Sequence, residues 1–265
     1  MTAVGRTPRP AGPPSRADSP DHPEGPPSRA REWPGPGRIC LALDGTDTEA
    51  SLAVAAATEA HVGVFKVGLS AFVSAGPELI TRLAPRRPVF ADLKAHDIPD
   101  QVGHAAAALS RIGASYMTVH AAGGRAMIAA AVGAAGLDLK ILAVTVLTSL
   151  DAKELERVGM TGSPLEAVVR LAETALQAGA PGLVCSPLEV GALRERFGPS
   201  DGGGPLLVVP GIRVQGAPAG DQRRTLGPRE AVALGADLIV VGRPITAAPD
   251  PAAAARTMAA ELAVV

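Results

Sequence analysis

The sequence predicts a single domain over residues 38–265, a (β/α)₈ barrel of eight parallel strands closed by eight helices. Three observations predict it. Short β-rich runs alternate eight times with Ala-rich stretches of helical length. The runs are apolar almost without interruption instead of alternating with polar residues, the pattern of parallel strands buried on both faces. The segment carrying them is about the size of one barrel domain.

In chain order, the first run, 39–43, ends on Asp44 in "LALDGTD". No GxGxxG turn follows it, which disfavours the competing doubly wound open sheet. A helix over 48–60 leads to the run 62–67, which has Lys66 near its end. A helix over 75–84 leads to 89–93, which opens into "ADLKAHDIPD" (91–100). The helix 99–111 is followed by Gly113, suited to a left-handed C-terminal turn. The run 116–120 ends on His120, and a helix over 124–135 precedes the run 141–147. Ser163-Pro164 reads as a cap followed by proline in the first turn of a helix over 164–178. Gly179 ends that helix, and the run 182–185 follows. A helix over 188–197, the run 206–209, a helix over 228–234 ended by Gly235, the run 238–241 and a helix over 251–263 complete the count.

Composition narrows the function. Basic and acidic residues number 25 and 26, giving a net charge of −1. Neither nucleic acid nor an anionic membrane is an expected partner. Aromatics are 2 % of the chain, too few for a base-stacking platform. Hydrophobic residues make up 47 %, ample for a core, but none of their runs is long enough to cross a bilayer. Cys40 and Cys185 sit inside apolar runs without zinc-site spacing and read as buried thiols of a reducing cytoplasm. Residues 1–37 hold ten prolines and five glycines. Such a segment cannot bury enough apolar surface to offset its ordering entropy, so a disordered tail is expected there. It has neither the apolar centre of a secretory signal nor the acid-poor composition of a transit peptide.

The charges fall where strands end. Catalytic groups of such barrels cluster at the C-terminal rim. Asp44, Lys66, Asp92, Lys94, His120, Thr148, Arg213 and the Gly242-Arg243 pair all map there. A structural ion network explains one such strand more easily than five. Asp92 and Lys94 are two residues apart, so on a regular strand they share a face with Cα atoms roughly 7 Å apart. Carboxylates on either side favour an ammonium at Lys94. A charged donor held beside negative charge suits protonation of a developing carbanion; a Schiff base would need a neutral amine. Asp97, past the strand, reads equally well as the cap of the next helix. His96 is expected to turn away from the Asp92/Lys94 face and to pack or hydrogen-bond. His120 is left open. "VVGRPI" (240–245) reads as an anion site, because loops after the seventh and eighth strands of barrels often bind phosphate. There Gly242 admits close backbone approach and Arg243 offers a bidentate fork. The Gly/Pro-rich loop 210–224, with Arg213 and Gln222, reads as a lid, or else as an exposed loop. No His/Asp/Glu cluster has metal-site spacing.

These residues resemble one family, orotidine 5′-phosphate decarboxylase. The matching elements are "LALD" (41–44), "FKVG" (65–68), "DLKAHDIPD" (92–100), "TVH" (118–120), "VTVLTS" (144–149), "VCSP" (184–187), "PGIR" (210–213), "GDQRR" (220–224) and "VVGRPIT" (240–246). The D-x-K-x-x-D signature is shared with related sugar-phosphate lyases; "PGIR", the DQ pair and "VVGRPIT" in that order are the specific part. The resemblance implies cofactor- and metal-free loss of CO₂ from orotidine 5′-phosphate at a Lys66–Asp92–Lys94–Asp97 tetrad, with Lys94 the proton donor to C6. It implies Asp44 as a ribose ligand and Thr148 as a pyrimidine ligand. Gln222, Gly242 and Arg243 would bind phosphate, and Arg213 would bind ligand at the start of the lid. It also implies a cytoplasmic homodimer in which Asp97 and its neighbour at position 101 enter the partner's site. Gln101 stands where the family usually has threonine; an amide can still hydrogen-bond a hydroxyl. The competing readings are a metal-dependent sugar-phosphate decarboxylase or aldolase on the same barrel, and a non-catalytic phosphate-ligand-binding barrel.

Overall fold

A computed structural model describes residues 35–212 and 226–263 of the protein. Most of the expected tail lies outside the described residues, as do Arg213, Gln222 and nearly all of the expected lid. The chain runs β1 (Ile39–Leu43), α1 (Thr48–Thr58), β2 (Val64–Gly68), α2 (Leu69–Ala75), α3 (Pro77–Leu83), β3 (Val89–Ala95), α4 (Pro99–Arg111) and β4 (Ala114–His120). It continues α5 (Gly124–Ala134), β5 (Lys140–Val144), α6 (Ala152–Arg157), α7 (Pro164–Gln177), β6 (Gly182–Val184) and α8 (Val190–Phe197). It closes with β7 (Leu206–Val209), α9 (Pro228–Ala233), β8 (Leu238–Val241), α10 (Arg243–Thr246) and α11 (Pro251–Leu262). Each strand pairs in parallel with the next and β8 pairs with β1, so the sheet closes as the expected barrel.

The uninterrupted apolar runs are explained by two cores, one on each side of the sheet. Cys40, Val64, Phe90, Tyr116, Leu142, Val184, Val208 and Leu238 point inward and plug the barrel. Their strand neighbours Leu41, Phe65, Ala91, Met117, Ile141, Leu183, Leu207 and Ile239 point outward against the helices. Phe90 and Tyr116 meet edge to face with centroids 6.1 Å apart. Followed in steps of two, the inward face next reaches Lys66, Asp92 and Thr118 on β2 to β4, and through Ala42 it reaches Asp44 just past β1. The polar groups thus stand on the lid of an apolar plug.

Local signals hold at several ends. Ser163 and Glu166 form a reciprocal capping box at α7. Gly113, Gly179 and Gly235 have φ of 88°, 90° and 108°, the left-handed turns expected of them. Three readings need correction. The helix expected over 75–84 forms as α3, and a further helix, α2, precedes it across Gly76, whose φ is 64°. The run expected to extend to 147 leaves the ladder after Val144, and α6, capped by Asp151 and Glu154, was not foreseen in the connection that follows. Residues 35–37, expected in the tail, belong to a 3₁₀ turn, Gly35–Arg38, packed on α11. The turn also lies against the residue before β2: a Cβ at Gly63 would stand 2.1 Å from the Gly37 carbonyl oxygen, so the contact there is backbone to backbone and composition could not show it.

At the opposite end from the polar rim, Arg194 of α8 ties two connections together, α8 to β7 and α9 to β8. It donates to the carbonyls of Gly198 (3.1 Å), Pro205 (2.8 Å) and Gly235 (2.9 Å) and pairs with Asp237. Asp237 also accepts from Ser200 and from the Leu207 N–H. Both side chains are nearly buried, at 12 % and 14 % exposure. Arg194→Met should therefore destabilise the protein by about 3–5 kcal/mol, because it strands a buried carboxylate and three carbonyls. Denaturant unfolding checks this; a loss below about 1 kcal/mol would mean the network is replaceable.

Candidate active site

The rim cluster begins at β2. Lys66 is 7 % exposed, held between Asp44 of the β1 end (Nζ–Oδ1 2.7 Å) and Asp92 of β3 (Nζ–Oδ2 3.4 Å). Gly68 makes the first contact possible, since a Cβ there would fall 2.1 Å from the Asp44 Oδ1. Burial alone would push Lys66 toward neutrality, but Asp92 and Asp44 outweigh it and hold the amine above its ordinary range. Asp92 shows the converse. Burial would raise it, yet Lys66, Lys94 and the Thr118 hydroxyl keep its carboxyl below its ordinary range. Its Oδ1 accepts from the Lys94 Nζ at 2.8 Å and the Thr118 hydroxyl at 3.0 Å. Lys94, with a side chain 36 % exposed, is the more accessible ammonium and faces the cavity.

Lys94 also has an unusual backbone. Its φ of 51° makes it the one non-glycine residue with positive φ among the described residues. That conformation costs about 1–3 kcal/mol and persists only where its surroundings impose it. The register shows how. Ala91 pairs with Met117 and Ala95 with Val119, so Asp92, Leu93 and Lys94 stand across from Thr118 alone. Such a bulge re-aims side chains. It also corrects the expected strand geometry: strict alternation would put His96 on the face of Asp92 and Lys94, and the turn at Lys94 breaks it. The His96 ring lies tilted beside that of His120, with centroids 5.5 Å apart, and His96 is not among the described residues lining the cavity. His120 is half-buried; burial first, then His96 and Lys94, hold its imidazole below the ordinary range.

Above the cluster lies a cavity of about 380 Å³, within the usual size for small-molecule sites. Asp44, Lys66, Asp92 and Lys94 line one part of it, and Phe90, Val144, Val184 and Val240 form an apolar floor. Thr148, Gly242 and Arg243 line it too, with the short α10 starting at Arg243. Seven of the residues expected at the site therefore meet around one cavity. Asp97 and Gln101 do not join them. Asp97 accepts from the Ile98 N–H at 2.7 Å, and both side chains are exposed. Nor is Asp97 the helix cap; that position is Ile98, without a side-chain bond. Cys40 is fully buried, and burial pushes its thiol far up, so it is an inert packing group. The reading of the residues had given no role to Thr118, although its place two residues before His120 on the inward face was the available signal.

Comparison with known proteins agrees with this geometry. A profile of the orotidine 5′-phosphate decarboxylase / HUMPS family matches residues 37–258. The chain belongs to this family. Among its relatives, orotidine 5′-phosphate decarboxylase of Anaeromyxobacter sp. (strain K) is 56 % identical over 85 % of this chain and 98 % of its own. The enzyme of that name from Halorhodospira halophila is 50 % identical over 87 % of this chain and 98 % of its own. The crystal structure of orotidine 5′-phosphate decarboxylase from Lactobacillus acidophilus, 37 % identical, superposes with a TM-score of 0.74 over 84 % of this chain and 98 % of its own. The family covers the whole described barrel, from the 3₁₀ turn into α11.

Proposed function

We propose that the protein decarboxylates orotidine 5′-phosphate to UMP and CO₂, the last step of de novo pyrimidine nucleotide synthesis. The observation that carries this reading is the alternating Asp44–Lys66–Asp92–Lys94 array at the edge of the cavity. The apolar floor suits the faces of a pyrimidine ring, with Thr148 for its polar edge. Asp44 binds ribose, and Gly242 and Arg243 take the phosphate, joined by Gln222 and Arg213. Asp92 faces the substrate carboxylate. As the C6–carboxylate bond breaks, its electron pair stays on C6 and CO₂ leaves. The Lys94 ammonium stabilises that pair and then gives C6 its proton; water reprotonates the amine. A charge already in place before the reaction needs no reorganisation, which makes this kind of stabilisation strong. Binding energy from the distant phosphate goes into aligning the ring.

The same reading makes the protein a homodimer with shared sites. The exposure of Asp97 and Gln101 supports it, as do exposed Ile98 past the end of β3 and exposed Leu69 and Val73 on α2. Among the described residues no helix is long and apolar enough to cross a membrane, and we place the enzyme in the cytoplasm. Deleting residues 1–34 should leave activity and melting temperature nearly unchanged; a fall of many degrees would mean the tail packs on the barrel.

The test is incubation with orotidine 5′-phosphate, with and without EDTA, following loss of the orotate absorbance. Turnover indifferent to EDTA is expected. EDTA-sensitive chemistry would favour the metal-dependent sugar-phosphate relative, and binding without turnover would favour a ligand-binding barrel.

A further inference from the structure

Thr118 is fully buried on the inward face of β4, in a layer otherwise filled by apolar groups and the charged cluster. Its hydroxyl accepts from the Lys94 backbone N–H at 2.9 Å and donates to the Asp92 Oδ1 at 3.0 Å. Both of its hydrogen-bonding roles are thus spent on the two residues that the bulge displaces. The bulge is also the reason such a group is needed. With Asp92 to Lys94 standing across from one residue, the Lys94 N–H has lost a regular ladder partner, and a buried N–H without an acceptor is costly. A backbone carbonyl could satisfy the N–H but could not donate to a carboxylate. A hydroxyl does both.

We propose that Thr118 is the positioning residue of this site, its hydroxyl locking the left-handed Lys94 and the Asp92 carboxylate in one fixed relation. The proposal rests on the decarboxylase reading for its activity readout, but its structural consequence can be read without it. Thr118 touches no reacting atom; it acts through Asp92 and Lys94. Without the hydroxyl, Lys94 relaxes toward ordinary strand geometry and its ammonium moves off the line to C6. That harms the proton-transfer transition state more than ground-state binding of a ligand anchored by its phosphate.

The experiment compares wild type, Thr118→Val, which keeps the shape and loses the hydroxyl, and Thr118→Ser, which keeps the hydroxyl. In Thr118→Val, kcat should fall about 10- to 100-fold, as expected for misplacement of a catalytic group by about 1 Å, with KM nearly unchanged. Thr118→Ser should recover most of kcat. If the valine protein does not fold, Thr118→Cys, whose thiol is a weak donor and acceptor, replaces it with the same expectation. A valine variant retaining more than half of wild-type kcat overturns the proposal. So does a loss confined to KM, or an equal loss in valine and serine variants, which would indicate packing alone. Should wild type itself fail to consume orotidine 5′-phosphate, the function reading fails separately. The assignment is then decided by crystal structures of wild type and Thr118→Val: departure of Lys94 from positive φ supports it, and an unchanged Asp92–Lys94 pair overturns it.

Discussion

Lys94→Ala should abolish decarboxylation in a protein that still folds. A positioned general acid contributes about 10²- to 10⁴-fold, and Lys94 is also the ammonium that stabilises the carbanion, so a loss of at least that size in kcat is expected. Each factor of ten corresponds to about 1.4 kcal/mol of barrier. A variant retaining more than about a tenth of wild-type kcat would remove Lys94 from the proposed role. The fold should survive, because Asp92 keeps Lys66 and Thr118 as partners. A glycine control sharpens the result. Lys94 holds φ at 51°, where a residue without Cβ is at ease. Lys94→Gly should be equally inactive yet no less stable than Lys94→Ala. Chemical denaturation of the two, alongside kcat, separates the side chain's chemistry from the strain of its backbone.

Mixing two dead variants should restore activity. Asp97 and Gln101 are exposed past the end of β3 and lie apart from the described lining of the cavity. If Asp97 completes the partner's site, Lys94→Ala and Asp97→Ala subunits complement. A heterodimer then has one site with both lesions and one with neither. With equal mixing about half the dimers are heterodimers, so about a quarter of all sites are intact under two-fold symmetry. The expected recovery is therefore about a quarter of wild-type activity per site, from two proteins each inactive alone. If Asp97 instead serves its own subunit, every site carries a lesion. A mixture that stays dead, with exchange verified by mass spectrometry, rules the shared site out. Activity should also decline on dilution through the dimer dissociation range, since neither chain holds a complete site.

How much of this was legible beforehand differs between elements. The strands of β1, β7 and β8 were read to the residue, because buried parallel strands need apolar side chains on both faces and the runs end at charged, proline or glycine residues. The start of α4 at Pro99 and the capping box of α7 were legible for the same kind of local reason. The helices α2 and α6 were not, since short helices are held by packing more than by their own propensity. In the site, the sequence placed Asp44, Lys66, Asp92, Lys94, Thr148, Gly242 and Arg243 at one rim, because charges next to apolar strands have few other places to go. The reading of His96 shows the limit. Strict alternation would have put it on the Asp92/Lys94 face, and the left-handed turn at Lys94 sets it beside His120 instead.

By itself, then, the sequence determined the barrel, the end at which chemistry occurs and the types of group assembled there. Each of those follows from the pattern of one segment at a time: which faces are apolar, and where that pattern stops. Only the tertiary structure decided that three residues of β3 stand across from one of β4, that Lys94 is left-handed there, that Thr118 is the group between Asp92 and Lys94, and that Asp97 is exposed and absent from the described lining of the cavity. The physical reason is register. Which residue stands across from which is a property of two strands together, set by how the whole sheet closes, and no single stretch of sequence contains it.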